Sequence, residues 1–134
     1  MPTITPALDA APPLLLVAIG GGAGSALRYL VGRWTLANLG PELPFGTWAV
    51  NILGGLAMGL LAGWLSRFDD GGDGLRLLFG VGLLGGFTTF SAFSLEMFNM
   101  IGRGDIGLAG AYAVSSVAGA TLAVFTGVYL ARAL

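Results

Sequence analysis

Apolar positions along the chain fall into four long runs set off by charges and prolines, with little of the alternation of a strand or the one-sided stripe of a surface helix. A bilayer core about 30 Å thick needs roughly 20 apolar residues in a helix, and the stretches between charges supply them. Ala10 to Leu27 holds 18 uncharged residues, and the pattern resumes past Arg28 to about Leu36. Leu43 to Ser66 gives 24 uncharged residues, Leu77 to Leu95 gives 19, and Ile106 to Ala131 gives 26. These runs predict helices over about 13–36, 45–66, 76–101 and 106–131, preceded by a flexible lead over 1–12. The third run also carries Gly80, Gly82, Gly85, Gly86 and the polar residues Thr88, Thr89, Ser91 and Ser94. Adjacent glycines weaken a helix and hydroxyls compete for its backbone bonds, so a break is expected between Gly86 and Thr89. The connections are short: Asn38 to Pro44, Phe68 to Leu75 and Gly102 to Asp105. They leave no room for a soluble domain, so the expected fold is a single all-α transmembrane domain of four helices with the third broken.

Composition agrees with this pattern. Of 134 residues 55% are apolar and 10% charged, and the mean hydropathy is +0.85, whereas a soluble domain carries roughly 25% charged residues. The 6 arginines and 7 acids leave a net charge of -1. The arginines are dispersed and there is no lysine, which argues against a nucleic-acid partner bound through a basic patch. Without Cys or His there are no disulfides, thiolate nucleophiles, ordinary zinc sites or imidazole acid–base chemistry. With no nucleophile–base pair visible either, the chain is not expected to be an enzyme. The lead contains Pro2, Pro6, Pro12 and Pro13 but no basic residue, unlike the start of a secretory signal.

Flanking arginines should orient the spans. Arg67, Arg76 and Arg132 lie on the face of the N-terminus, the second loop and the C-terminus, against Arg33 and Arg103 on the other. So weak a bias suits insertion both ways up and an antiparallel dimer related by an axis in the membrane plane; a single orientation set by other factors is the alternative. Small residues four apart let membrane helices approach closely. Gly55, Gly59 and Gly63 form such a stripe in the second span, and Ala111, Ser115, Gly119, Ala123 and Gly127 in the fourth. The cluster Gly20, Gly21, Gly22 and Gly24 has no following Lys-Ser or Lys-Thr pair, so packing explains it better than a phosphate loop.

Polar groups at membrane depth are costly unless they face a partner or a wet cavity. Arg28 lies about 22 Å into the first span at 1.5 Å per residue; it is either a snorkelling side chain or a fixed charge drawing anions into a vestibule. Asn51, a third of the way along the second span, serves either an interhelical hydrogen bond or a pore wall. Glu96, near the end of the third span, suits an ion pair or an interfacial position. A break in the third span would free carbonyls, which suit a hard cation. Beyond it Phe90 and Phe93, three apart, share a helical face. Such a pair usually packs, but the positive ring edges also suit the wall of a narrow anion path.

Three segments carry a family resemblance: Gly-Gly-Ala-Gly-Ser-Ala-Leu-Arg-Tyr (Gly21 to Tyr29), Phe-Gly-Thr-Trp-Ala-Val-Asn-Ile-Leu-Gly (Phe45 to Gly54) and Gly-Gly-Phe-Thr-Thr-Phe-Ser-Ala-Phe-Ser (Gly85 to Ser94). Together they resemble the Fluc, or CrcB, fluoride channel family across all four spans in order. The resemblance implies an antiparallel, dual-topology homodimer with two pores in the inner (plasma) membrane, exporting fluoride passively and conferring fluoride resistance. It implies a structural Na+ at the dimer centre, held by the main-chain carbonyls of Gly85 and Thr88. It also implies pore residues at Asn51, Phe90, Phe93 and Ser94, a vestibule charge at Arg28, and a polar track beginning at Tyr112 and Ser116 with Ser115 alongside. One turn beyond Ser116 stands Ala120, with Thr121 beside it, which leaves the far end of that track open.

Two other readings suit parts of the sequence. A small dual-topology proton-coupled exporter of cationic compounds fits the four short spans but needs a membrane-embedded carboxylate, for which only Glu96 is available. A structural subunit would use the polar residues solely to join helices.

Overall fold

The computed structural model describes residues 6–68 and 72–134, and every regular element among them is helical. Four helical runs are long and apolar enough to cross a membrane: Pro13–Leu39, Phe45–Leu65, Asp73–Gly102 and Ile106–Ala133. They coincide with the four expected spans to within a few residues. The elements are α1 (Pro6–Asp9), α2 (Pro13–Leu39), α3 (Phe45–Leu65), α4 (Asp73–Leu75), a π-helix (Arg76–Leu84), α5 (Gly85–Phe87), α6 (Phe90–Gly102) and α7 (Ile106–Ala133).

Local chemistry sets the ends. Pro13 stands in the first turn of α2, where its missing N–H leaves no bond unmade. Gly40 closes the same helix with φ of 78°, and its N–H donates to the Leu36 carbonyl. Pro44 precedes α3, and Gly104, with φ of 87°, turns the chain from α6 toward α7. In the lead expected to be flexible, residues 1–5 lie outside the described residues, whereas α1 is docked: Asp9 Oδ1 accepts from Gly74 N–H at 2.8 Å. Of the second loop, residues 69–71 lie outside the described residues.

The most extensive packing joins α3 to α7, followed by α2 against the π-helix. Gly55, Gly59 and Gly63 lie against the backbone of Ala120, Val124 and Val128; a Cβ on Gly55 would come within 2.8 Å of the Ala120 carbonyl oxygen. On the fourth span the row is in close contact only in part: Gly119 and Gly127 meet the second span, whereas Ala111 and Ser115 are exposed, Ser115 reaching that span through the Trp48 indole N–H. At 3.6 residues per turn, positions four apart drift by about 40° per step, so a five-residue row winds off any one face while the three-residue glycine row does not. On the other side of the bundle, Gly20 and Gly24 press on the π-helix, where any Cβ would collide with the carbonyl oxygens of Leu78 and Leu83. The π-helix, with its i→i+5 bonds, ends with the Gly85 N–H donating to the Gly80 carbonyl.

After α5 the backbone turns extended for two residues, Thr88 (φ -83°, ψ 157°) and Thr89 (φ -151°, ψ 125°), before α6 begins. Thr89 caps α6: its hydroxyl accepts from Ala92 N–H at 3.2 Å, satisfying one of the orphan donors of a helix start.

Candidate functional site

An extended pair of residues inside a membrane span leaves backbone groups without helical partners. Asn51, reaching across from α3, meets those of Thr89. Its Nδ2 donates to the Thr89 carbonyl at 3.0 Å, and Thr89 N–H donates to Asn51 Oδ1 at 2.8 Å. One carboxamide thus stands in for a peptide unit beside the extended backbone. The interhelical role foreseen for Asn51 is present, and one of its two amide protons remains for another acceptor.

On one side of this pair lies a cleft of about 330 Å³ whose walls include Asn51, Thr88, Phe90, Phe93, Ser116 and Ala120. Ser116 is only 5% exposed, and its hydroxyl has no hydrogen-bond partner among the described residues. Burying a hydroxyl without a partner costs about 1–3 kcal/mol, which leaves the Ser116 hydroxyl with an unused donor at the wall of the cleft. Phe90 and Phe93 have ring centroids 5.5 Å apart at 35°. Phe93 then packs on Tyr112 at 5.1 Å, within a small core formed with Met100, Ala109 and Met97. Phe90 is 77% exposed.

On the other side lies a cavity of about 410 Å³ bordered by Arg28, Arg33, Thr47 and Thr89. Thr89 therefore borders both spaces, 9% exposed. Arg28 is half-buried, and its Nε donates to the Gly86 carbonyl at 3.0 Å. A neighbouring recess of about 350 Å³ shares Gly32, Gly46 and Thr47 with this cavity and extends to Glu96, Asn99 and Arg103.

Glu96 is the residue whose partners sequence reasoning missed. Its Oε1 accepts from the Thr47 hydroxyl at 2.7 Å and its Oε2 from the Tyr112 hydroxyl at 2.6 Å. The carboxylate thus joins the second, third and fourth spans, and Thr47, unmarked in the sequence, is part of that junction. The only advance sign was a carboxylate five residues before the end of the expected third span, with hydroxyls on neighbouring spans.

The expected residues are therefore partly gathered. Asn51, Phe90, Phe93, Ser116 and Thr88 share the cleft; Tyr112 stands behind Phe93; Arg28 borders the adjoining cavity. Ser94 is exposed and its hydroxyl donates to the Phe90 carbonyl of its own helix at 2.9 Å. Ser115 accepts from the Trp48 indole N–H at 3.1 Å, and Gly85 lies exposed on the surface of the third span. Ala120 borders the cleft and Thr121 is exposed, so the buried hydroxyl line of the fourth span stops at Ser116.

Known proteins are similar to this chain over most of its length. A protein named fluoride-specific ion channel FluC from Phenylobacterium zucineum is 58% identical over 120 residues, 89% of this chain and 94% of its own. Its namesake in Novosphingobium aromaticivorans is 53% identical over 118 residues, 87% and 93% of the two chains. The one in Sphingopyxis alaskensis is 51% identical over 121 residues, 90% and 96%. Bacterial relatives and four membrane-length helices make this chain a multi-pass inner-membrane protein. Residues 15–128, which contain the cleft, its neighbouring cavity and all of the four spans except the outer ends of the first and fourth, match the profile described as CrcB-like protein, Camphor Resistance (CrcB), and the chain belongs to that CrcB family.

Proposed function

We propose that the chain is a fluoride-selective ion channel that lets fluoride leave the cell passively and so confers fluoride resistance. The observation that carries this is the cleft in which a partnerless Ser116 hydroxyl and the spare proton of Asn51 sit beside Phe90 and Phe93. The relatives' name as fluoride-specific channels supports the same ion. Fluoride is small and strongly hydrated, so a pore must replace its water with donors. A hydroxyl and an amide provide them without a full positive charge, and ring edges add weak positive potential. Binding of that strength leaves the ion free to exit. Arg28 and Arg33 at the neighbouring cavity raise the local concentration of anions.

In this reading the working unit is a homodimer of oppositely inserted copies, and Thr88 with Thr89 forms the functional break of the third span. Support comes from the surface that α6 leaves open: Phe90, Leu95 and Phe98 are all exposed, and a second copy would close the cleft over Phe90. A Na+ at the centre of that dimer fits the residues present. Among the described residues neither the Gly85 nor the Thr88 carbonyl receives a hydrogen bond, and no cluster of three His, Cys, Asp or Glu exists to hold a metal in another way. Such carbonyls suit a hard cation, which would tie the two copies together. The exporter alternative rests on Glu96, whose two oxygens are both engaged by hydroxyl donors, and nothing else in the fold favours it.

Expression in bacteria made fluoride-sensitive by loss of their own exporter tests the reading. Growth at fluoride concentrations that stop the empty-vector control is expected, and growth no better than that control would contradict it.

A further inference from the structure

We propose that Arg28 is a positioning residue that fixes the end of α5 through the Gly86 carbonyl, using its Nε donor rather than its charge alone. The helical run of the third span ends at Phe87, and its last carbonyls have no amide four residues ahead. Leu84 O accepts both the Thr88 N–H at 3.0 Å and the Thr88 hydroxyl at 2.9 Å. Gly86 O instead accepts Arg28 Nε at 3.0 Å, a contact between residues 58 apart. A cation is well placed at the negative end of a helix. The same turn is pinned again on α2, where a Cβ on Gly86 would collide with the Gly21 carbonyl; Gly21 and Arg28 are seven residues, about two turns, apart. Asn51 holds Thr89 from the opposite helix. The extended pair is thus fastened on both flanks, by Arg28 from the first span and Asn51 from the second. The remaining guanidinium N–H groups make no hydrogen bond among the described residues, so the group that borders the anion-drawing cavity also sets the backbone beside it.

Covalent geometry separates donor from charge. A glutamine places its Nε2 donor the same number of bonds from Cα as arginine's Nε and carries no charge; a lysine keeps the charge but puts a methylene there. Arg28→Gln and Arg28→Lys, each in the full-length chain in liposomes, are compared by amide hydrogen exchange over residues 86–92. Exchange within about twofold of wild type in R28Q and about tenfold faster in R28K is expected, the scale of one lost hydrogen bond to a half-buried carbonyl. Protection by lysine equal to or better than that by glutamine overturns the proposal. A second measurement needs no variant: isotope-labelled wild type should show through-bond coupling between Arg28 Nε and the Gly86 carbonyl carbon, and its absence in a spectrum resolving both groups also overturns it. The inference rests on the channel reading only for its consequence. If wild-type protein moves no fluoride, the channel reading fails while the exchange comparison still decides the role of Arg28.

Discussion

Asn51 and Thr89 exchange two hydrogen bonds, at 3.0 and 2.8 Å, across 38 positions of sequence. This reciprocal pair is what allows an extended residue to sit inside a membrane span, since an unpaired peptide group there costs several kcal/mol.

Replacing Asn51 by Ala removes both partners of Thr89 at once. Asn51→Ala should destabilise the folded protein by about 2 kcal/mol or more and reduce fluoride flux by at least about tenfold. Thermal unfolding in detergent and liposome flux measure the two effects. Wild-type stability in N51A would mean that the pair does not hold the extended segment.

Ser116 predicts the opposite combination. Its buried hydroxyl bonds to nothing in the described chain, so Ser116→Ala should leave stability unchanged or raise it, by up to about 1–3 kcal/mol. Fluoride flux should nevertheless fall severalfold, because a donor to the ion is gone. Unchanged flux in S116A would remove Ser116 from the pathway.

Phe90 and Phe93 differ in surroundings, and their variants should differ in stability. Phe90 is 77% exposed, whereas Phe93 packs on Tyr112 and the buried cluster around Met100. Phe90→Ile should leave the unfolding temperature of a single chain nearly unchanged, and Phe93→Ile should lower it. Both should abolish fluoride conduction in dimers that remain intact by size-exclusion chromatography. Wild-type conduction in either would contradict a ring-edge contribution to the pore.

Much of the fold was readable because the bilayer enforces it. Charge-free runs long enough to span must become helices, and all four did, from Pro13 to Ala133. The glycine row at Gly55, Gly59 and Gly63 was readable for the same reason, since close approach needs small residues. Interhelical register was not. Nothing in one sequence says that Thr47 and Tyr112 reach the two oxygens of Glu96, or that Arg28 finds the Gly86 carbonyl, because these pairings depend on how each helix is rotated and shifted against its neighbours. The π-helix at Arg76–Leu84 was hidden too: its glycines suggested weakness, not a wider turn whose backbone lies in close contact with Gly20 and Gly24 of α2.

The packing of α3 on α7 supplies a paired prediction. A side chain at Gly59 would collide with the Val124 carbonyl, while Gly22 has nothing near enough to obstruct a methyl group. Gly59→Leu should cost about 3 kcal/mol or more through overpacking and sharply reduce the yield of folded protein. Gly22→Ala should be neutral or stabilising by up to about 1 kcal/mol, the helix-propensity difference. Expression level and thermal unfolding measured side by side would show the contrast, and equal tolerance at both sites would contradict the α3–α7 contact.

The most direct test is anion efflux from liposomes containing the purified full-length protein, with Na+ present and a potassium ionophore clamping the voltage. Fluoride is read with a selective electrode and chloride in parallel. Rapid fluoride release without chloride release is the predicted result. Silence for fluoride from protein verified as a dimer, or equal release of both halides, would contradict a fluoride-selective channel.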